Sequence, residues 1–384
     1  MFLIDRELEA LTVFRRDLHR RPEVSGEERE TAETIVASLA ETKPDAVITG
    51  LGGHGVAAIY EGREPGPTVM VRAELDGLPI EEISEIGHRS QIAGKGHLCG
   101  HDGHMTILVA LARGLGQMRP AKGRAILMFQ PAEENGAGAA AVLADPKFAD
   151  IKPDLVFSLH NFPGLRFGHA ALRTGPVNCA SRGMRISLSG KTAHASTPED
   201  GIAPTFAVAA LLSRLTALGN NGPLDETYTL VTVTHARLGE AAFGISPGYA
   251  EIWATLRTLT DARMADLVAR AEALAAKEAG AAGLRVAISY EDVFHQCSNG
   301  DAAVTALERA MDEEGVSRDR GEGVLPMKGS EDFGLFGRVA PAAMFFLGAG
   351  ENHARLHNPD YDFPDGLIGI GAKVFMRAIR NELG

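Results

Sequence analysis

Apolar and polar residues alternate along this chain in two recurring patterns. Four short stretches are rich in apolar residues, as in strands that are buried on both faces of a sheet; they lie at 68–73, 124–129, 154–159 and 342–347. Apolar residues at helical spacing lie between and around them, and they predict helices at 5–18, 27–41, 103–118, 137–144 and 366–382. Strands that alternate with helices are typical of βαβ units. The sequence therefore predicts an α/β fold with a mostly parallel sheet flanked by helices.

One internal segment has a different order of elements. Its patterns predict strands and helices in the order 182–189 (strand), 203–218 (helix), 228–238 (strand), 249–259 (strand), 261–280 (helix) and 284–291 (strand). The order β-α-β-β-α-β is that of a ferredoxin-like fold. We therefore expect an inserted ferredoxin-like α+β domain at 176–292, within a catalytic domain formed by 1–175 and 293–384.

The composition limits the classes of protein to consider. The 384 residues exceed what one hydrophobic core usually supports, which agrees with two domains. The net charge is −12 and there is no long Lys/Arg tract, so neither nucleic acid nor an anionic membrane is expected as a partner. Residues 1–21 lack the apolar core of a signal peptide, and no apolar run is long enough to span a bilayer. The three cysteines are far apart and odd in number, which argues against a disulfide framework and favours a cytoplasmic location.

A glycine-rich stretch carries the first candidate metal ligands, in the sequence Cys99-Gly-His-Asp-Gly-His104. Two-residue spacing in an extended loop places the side chains of Cys99 and His101 on the same side. Thiol and imidazole ligands mixed with carboxylates suit zinc, manganese, cobalt or nickel better than calcium or magnesium. The alternative is a buried cysteine beside a loop histidine that only forms hydrogen bonds.

Two consecutive acids follow the predicted strand at 124–129, in the sequence Gln130-Pro-Ala-Glu-Glu134. Adjacent side chains point in different directions, so one of Glu133 and Glu134 can bind a metal while the other acts as a general base. Spacing does not decide which residue has which role. The alternative is a pair of solvated acids at a helix start, where the helix dipole favours negative charge.

Further polar side chains follow the ends of the other predicted strands. Glu74 and Asp76 come after the first, His160 closes the strand at 154–159, and His357 lies in a loop after the last. Ligands of open α/β sheets collect beyond the carboxyl ends of the strands, so we expect these residues to lie near Glu133 and Glu134.

Two neighbours of the Cys99–His104 motif are weaker candidates. His104 is expected to face away along the helix at 103–118. Asp102 is expected either to cap that helix or to orient the imidazole of a ligand.

The inserted segment carries two candidate substrate-binding residues. His194 lies in a polar, turn-rich loop, where it could donate a hydrogen bond to a developing oxyanion or belong to a plain hairpin. Arg257 lies near a strand end, where it could hold a substrate carboxylate or simply be solvated.

Together these segments resemble the aminoacylase and hippurate hydrolase family of metallopeptidase-like amidohydrolases, which includes the plant indole-acetyl-amino-acid hydrolases. The resemblance runs nearly end to end and is carried by 18–23, 99–104, 130–134, 160–161, 193–198, 329–333 and 356–359. It implies a zinc-exopeptidase-like catalytic domain with two divalent ions (Mn, Zn, Co or Ni), whose ligands correspond to Cys99, His101, Glu134, His160 and His357.

The same resemblance implies the remaining roles. Glu133 falls on the general base, His194 on the oxyanion donor and Arg257 on the anchor for a substrate carboxylate. The expected reaction is hydrolysis of an N-acyl amino acid, a small-molecule substrate, to a carboxylic acid and a free amino acid. Relatives dimerise through the smaller domain, so a homodimer or higher homo-oligomer is expected.

Three positions depart from the family pattern and bear on its acyl-group preference: Glu74 replaces an aspartate, Thr192 a glycine, and Gly244 an asparagine. Three other functions stay open: a dipeptidase or carboxypeptidase with the same metal site, a binding protein without activity, and nucleophilic catalysis by Cys99 with His101.

Overall fold

The computed structural model describes residues 3–384 and divides them into two compact units. The larger unit comprises the chain through Val177 together with Ser298–Leu325 and Asp332–Gly384. The smaller unit comprises Asn178–Cys297 and the short segment Pro326–Glu331. The smaller unit thus covers most of the segment at 176–292 that we expect to be an inserted domain; its function as a separate domain stays a prediction.

Helices and strands are numbered in chain order over the described residues. The α-helices are α1 (Asp5–His19), α2 (Arg29–Ala40), α3 (His101–Gln117), α4 (Gly138–Ala144), α5 (Thr205–Thr216), α6 (Asp261–Ala281), α7 (Asp301–Glu314) and α8 (Leu367–Leu383). The strands are β1 (Ala46–Leu51), β2 (Gly55–Glu61), β3 (Glu64–Glu74), β4 (Lys122–Gln130), β5 (Leu155–Pro163), β6 (Ala170–Ala171), β7 (Gly175–Asn178), β8 (Ala180–Ser189), β9 (Ala193–His194), β10 (Thr229–Leu238), β11 (Ile245–Ser246), β12 (Tyr249–Thr258), β13 (Arg285–Phe294), β14 (Cys297–Asn299), β15 (Arg318–Asp319) and β16 (Ala342–Gly350).

The larger unit is built on a mixed sheet with the strand order β1-β2-β4-β3-β5-β16-β6-β15. The four central strands β4, β3, β5 and β16 run parallel to one another, as predicted. The edges differ from the prediction, because β1, β2 and β4 pair antiparallel and β6 is antiparallel to β16. The α/β fold class is confirmed, and the sheet is mixed rather than uniformly parallel.

The core of the larger unit explains why the strands read as apolar runs. Residues 125–130 of β4 are all buried, and β16 is buried along nearly its whole length. Helix α3 packs between α1 and α8 and is buried on almost every face, with Leu111 and Leu115 fully inaccessible. Each fully buried Leu or Phe contributes about 1.5–3 kcal/mol of transfer free energy. This packing fixes the carboxyl ends of the parallel strands, where the candidate site lies.

The smaller unit has the β-α-β-β-α-β element order that the sequence predicts, formed by β8, α5, β10, β12, α6 and β13. Its sheet is antiparallel with the order β10-β12-β8-β13. Helices α5 and α6 cover one face, and their apolar residues form a separate core with the sheet that includes Leu211, Ile252 and Leu267. Trp253 on β12 remains partly exposed.

Among the described residues, no helix combines the length and apolar character that a bilayer span requires.

Candidate metal centre

The carboxyl ends of the parallel strands in the larger unit bring the predicted ligands together. Strand β3 ends at Glu74 and is followed by Asp76, and β4 ends three residues before Glu133. His160 lies inside β5 rather than at its end, because this strand continues to Pro163. These positions share one edge of the sheet because neighbouring strands run parallel.

Five candidate ligands form two overlapping groups of donor atoms. Cys99, His101 and His160 offer ligand atoms within 4.8 Å of one another, and so do Cys99, Glu134 and His357. Cys99 belongs to both groups. Two neighbouring sets of three donors with one thiol in common would suit a pair of adjacent cations. The donor set of thiolate, imidazole and carboxylate suits borderline divalent metals.

Hydrogen bonds orient the two buried histidines of the first group. His101 Nδ1 lies 2.8 Å from the Asp76 carbonyl oxygen, and His160 Nδ1 lies 2.8 Å from that of Asn161. Because a carbonyl only accepts, Nδ1 is the donor in both rings, and in the neutral form Nε2 retains its lone pair. His160 Nε2 lies 3.4 Å from Cys99 Sγ. His101 Nε2 is buried and has no hydrogen-bond partner among the described residues. Both Nε2 atoms are therefore suited to bind a metal.

Glu133 and Glu134 lie on a strained turn after β4. Ala132 has φ 52°, a left-handed conformation that is uncommon for a residue with a side chain. Its N–H donates to Glu28 Oε1 at 2.7 Å, which holds the turn in place. Carboxylate oxygens of Glu133 and Glu134 each lie 3.9 Å from His101 Nε2. Glu134 also reaches His357, with 3.5 Å between Oε2 and Nε2.

Asp76 contacts two of the candidate ligands, His101 and Glu134. Its Oδ2 accepts hydrogen bonds from Ser25 Oγ at 2.7 Å and from the Glu134 N–H at 2.9 Å. Its Oδ1 lies 3.4 Å from His101 Nδ1. Asp76 is completely buried, so its position is fixed by these contacts. The residue that orients a candidate ligand imidazole is therefore Asp76 and not Asp102.

The electrostatics of the cluster favour a bound cation. Burial raises the pKa of the Cys99 thiol well above its ordinary value, and the nearby Glu134 and Glu133 raise it further. Burial alone would lower the pKa of His101, but Asp76 and the neighbouring carboxylates outweigh burial and raise it to about 10. Burial and the adjacent His104 lower the pKa of His160 to about 3. A divalent cation would supply the positive charge that stabilises a thiolate and neutral imidazoles here. The residues present fit such an ion.

His104 lies inside this cluster, and the prediction that it faces away along its helix is wrong. Helix α3 begins at His101 and is buried nearly all around, so its first turn faces the site. His104 Nδ1 lies 2.7 Å from Glu74 Oε2, and Nε2 lies 2.9 Å from Asn161 Oδ1. Glu74 also accepts a hydrogen bond from Arg72. Burial alone would raise the pKa of Glu74, but Arg72 and His104 hold it well below its ordinary value.

Asn161 links three segments around the cluster. Its Nδ2 donates to the Cys99 carbonyl at 3.2 Å and lies 2.7 Å from the Tyr361 hydroxyl. Its Oδ1 lies against Gly100, where an added Cβ would be 1.9 Å away. Gly100 has φ 92° and is the N-cap residue of α3. Only glycine provides both this conformation and this close approach.

Asp102 has neither of its predicted roles. It is the second residue of α3 rather than the N-cap. Its Oδ2 lies 2.8 Å from His19 Nδ1 and accepts a hydrogen bond from Arg15 at 3.2 Å. These buried partners come from α1, and no spacing in the sequence links α1 to the Cys99–His104 motif; the only signal is that His19 lies in the family motif at 18–23.

The other two predicted site residues, His194 and Arg257, belong to the smaller unit. The Ser196 N–H donates to His194 Nδ1 at 3.1 Å, so the neutral ring carries its proton on Nε2, and the side chain is exposed. Arg257 on β12 donates through Nη1 to the Lys328 carbonyl and, at 2.7 Å, to Ser330 Oγ. His194 thus offers a donor to solvent, and Arg257 retains its Nε and Nη2 donors.

Comparison with known proteins agrees with this chemistry. A family model described as Peptidase family M20/M25/M40 matches residues 70–381. An N-acetyl-L-cysteine deacetylase of Bacillus subtilis is 31% identical over 367 residues, which cover 94% of this chain and 85% of the relative. A hippurate hydrolase of Campylobacter jejuni is 28% identical over 363 residues and covers 94% of both chains.

A solved structure from Bacillus subtilis, described as a dinuclear metal-binding peptidase from the M20 family, is similar over 98% of both chains. Its TM-score is 0.81 and its sequence identity is 26%. The larger unit of the present chain contains two groups of candidate ligand atoms that have the Cys99 thiol in common.

Proposed function

Because the chain belongs to peptidase family M20/M25/M40, we propose that it is a metal-dependent amidohydrolase that cleaves the amide bond of N-acyl amino acids. The products are a carboxylic acid and a free amino acid. The observation that carries the proposal is the pair of donor groups that share Cys99. A second carboxylate, that of Glu133, lies beside them. Relatives named for deacetylation of N-acetylcysteine and for hydrolysis of hippurate support the same class of substrate.

The metal ligands in this proposal are Cys99, His101, Glu134, His160 and His357. Their donor atoms favour two ions chosen from manganese, zinc, cobalt and nickel. Divalent ions held there would polarise the amide carbonyl and promote the ionisation of water. Asp76 and Asn161 keep the imidazoles of the first group in the required orientation.

Glu133 is the proposed general base. It is largely buried and lies beside Glu134 on the same turn, but it belongs to neither group that contains Cys99. Of the two adjacent acids, Glu133 is the one outside both groups that contain Cys99, so we assign its carboxylate to accept the proton of the attacking water. Glu133 would then deliver that proton to the leaving nitrogen.

The smaller unit supplies the proposed substrate contacts. The Nε2–H of His194 would donate a hydrogen bond to the oxyanion that forms at the carbonyl carbon. The remaining guanidinium donors of Arg257 would hold the substrate carboxylate. We also propose that the chain forms homodimers through this unit and acts in the cytoplasm; its three cysteines are buried and form no disulfide, which agrees with a reducing compartment.

A substrate panel tests the proposed reaction. Protein stripped with a chelator and reloaded separately with Mn²⁺, Zn²⁺, Co²⁺ or Ni²⁺ is offered acetyl- and benzoyl-amino acids, and free-amine dipeptides of matched side chain. We expect metal-dependent release of free amino acid from the acylated compounds and little from the dipeptides. Faster hydrolysis of the dipeptides would instead identify a dipeptidase.

The variant Glu133→Gln tests the general base. It removes the proton acceptor but retains the size and shape of the side chain, so we expect kcat to fall at least about 100-fold while metal content stays unchanged. The control is Glu61→Gln, at the exposed end of β2, which should leave kcat unchanged. Turnover of Glu133→Gln within a few-fold of the original protein would rule out the assigned role.

A further inference from the structure

Two neighbouring cations of the smaller unit, the partly buried Arg257 and the exposed Lys328, lack an acidic partner among the described residues. Arg257 and Lys328 form no ion pair among the described residues, although the chain has 50 acidic residues against 38 basic ones. Burial lowers the pKa of Arg257. An acid nearby would act in the opposite direction. A partly buried guanidinium without a counter-ion is costly, which points to an anionic ligand.

The strand register of the smaller unit places Arg257 beside Tyr228 and Cys179. In the antiparallel sheet Arg257 on β12 lies opposite Leu230 on β10 and Ser181 on β8. Tyr228 immediately precedes β10, so its ring lies near the Arg257 end of β12 and forms a small apolar cluster with Cys179.

The segment Pro326–Glu331 completes the arrangement. The Cys179 N–H donates to the Gly329 carbonyl at 3.0 Å, and Arg257 Nη1 donates to the Lys328 carbonyl and to Ser330 Oγ. These bonds fix the backbone of the segment on the sheet. As a result the Lys328 ammonium lies 5.7 Å from the centre of the Tyr228 ring.

The group also contains a polar atom without a partner. The Tyr228 side chain is completely buried, and its hydroxyl has no hydrogen bond among the described residues. Burial raises the pKa of the neighbouring Cys179 to about 11, even though Arg257 and Lys328 act to lower it, so the thiol does not serve as their anion.

A purely structural role explains only part of these contacts. One edge of the Arg257 guanidinium braces the 326–331 segment, and the cation–π contact with Tyr228 partly stabilises Lys328. Neither contact neutralises a positive charge. A carboxylate would accept hydrogen bonds from the free Nε and Nη2 of Arg257, while a second carboxylate would match the ammonium of Lys328.

We propose that Arg257, Lys328 and Tyr228 form a cradle for two carboxylates, and that the enzyme prefers N-acyl amino acids whose side chain is itself acidic. This inference rests on the proposed function. Arg257 binds one carboxylate through two parallel hydrogen bonds from Nε and Nη2, and Lys328, whose ammonium lies 5.7 Å from the centre of the Tyr228 ring, binds the other. Lys328 is thus the residue that determines specificity for the aspartate and glutamate class over neutral amino acids.

The test compares N-acetylglutamate with N-acetylglutamine, which have the same shape and differ in one charge. Both enantiomers of each are assayed with the metal-loaded enzyme. We expect kcat/KM to favour the glutamate compound at least about tenfold, and the ratio to fall to about 1–2 in Lys328→Met. The variant Lys328→Glu should invert the preference. Lys277→Met, which removes an exposed lysine of α6 in the same unit, should retain the original ratio.

A binding measurement gives a readout that does not depend on turnover. Calorimetry on the metal-loaded enzyme should show glutamate binding at least about tenfold more tightly than glutamine, with the difference lost in Lys328→Met. Equal binding of the two amino acids, or an unchanged ratio in Lys328→Met, would overturn the cradle and leave the proposed function intact. If the metal-loaded enzyme hydrolyses no acyl amino acid at all, the proposed function itself is wrong.

Discussion

At the scale of single residues, the buried Asp76 positions two neighbouring candidate ligands. Its backbone carbonyl accepts from His101 Nδ1, and its side chain accepts from the Glu134 N–H. One buried acid therefore holds a candidate ligand from each of the two donor groups. Burial would raise the pKa of Asp76, but its hydrogen bonds lower it, so the residue remains a carboxylate.

The variant Asp76→Asn should weaken metal binding without removing a proposed ligand. The loss of the negative charge beside His101 and of one strong acceptor should lower metal affinity about 10–100-fold. Competition with a chromogenic chelator measures this affinity. Asp154→Asn is the matched control, since Asp154 also accepts a backbone N–H, that of Thr68, at 2.8 Å. An unchanged affinity in Asp76→Asn would contradict the positioning role.

At the scale of elements, the start of helix α3 is the feature on which the site depends most. Gly100 is its left-handed N-cap, Cys99 precedes it and His101 begins the helix. Close contact of Gly100 with Asn161 brings β5 against this helix start. The backbone at Gly100 therefore sets the separation of Cys99 from His160.

Gly100→Ala should disrupt both stability and metal binding. The added Cβ would lie 1.9 Å from Asn161 Oδ1, in addition to the cost of φ 92°. We expect the free energy of unfolding to fall by about 2–4 kcal/mol. Gly94→Ala separates the two causes, because Gly94 has φ 73° with open space around it and should cost about 1 kcal/mol. Chemical denaturation measures both, and equal losses in the two variants would refute the steric argument.

The sequence predicts the elements of this chain well where periodicity is strong. The helix expected at 5–18 is Asp5–His19, and the one expected at 261–280 is Asp261–Ala281. It misses the hairpin of β1 and β2, the helix Asp301–Glu314 and thus the antiparallel edge of the large sheet. Both strands of the hairpin carry short apolar runs, at 46–48 and 56–60, but a run this short does not by its periodicity distinguish a strand from a helix.

The site is predictable in its chemistry but less so in its surroundings. Strand ends and residue types point to Cys99, His101 and the two adjacent acids, which the structure brings together. The orientation of His104 and the partners of Asp102 are not predictable. Both depend on tertiary packing of a helix that is buried on almost all faces, for which hydrophobic periodicity gives no direction.

At the scale of the whole molecule, a buried charge network in the larger unit ties distant parts of the chain to the metal centre. Arg15 of α1 is completely buried and bonds Asp102 in α3 as well as Asp362 and Asp365 before α8. His19 lies 2.8 Å from Asp102 in the same network. The network thus joins the helix that begins with His101 to the segment that follows the loop of His357.

This network should make stability depend on pH. Burial alone would lower the pKa of His19, but Asp102 and Glu82 raise it to about 9 from an ordinary value of 6.5. Because the folded pKa is the higher one, this stabilisation is complete below about pH 6.5 and is lost as pH rises through about 9. The loss amounts to about 3 kcal/mol at most.

Urea denaturation of metal-free protein between pH 6 and 10 measures this dependence. The difference in unfolding free energy between the original protein and His19→Gln should shrink as pH rises, while His54→Gln should show a constant difference from the original protein. A His19→Gln difference that does not change with pH would show that His19 is not charged in the folded protein.

The central claim is that Cys99 belongs to both groups of donor atoms that would hold two divalent ions. Its most direct test is the metal content of equilibrated protein, measured by plasma mass spectrometry on the original chain and on Cys99→Ala, with Cys297→Ala as a control for loss of a buried thiol. We expect two ions per chain in the original protein and in the control, one in His357→Ala, and fewer than one in Cys99→Ala. Retention of two ions by Cys99→Ala would contradict the claim.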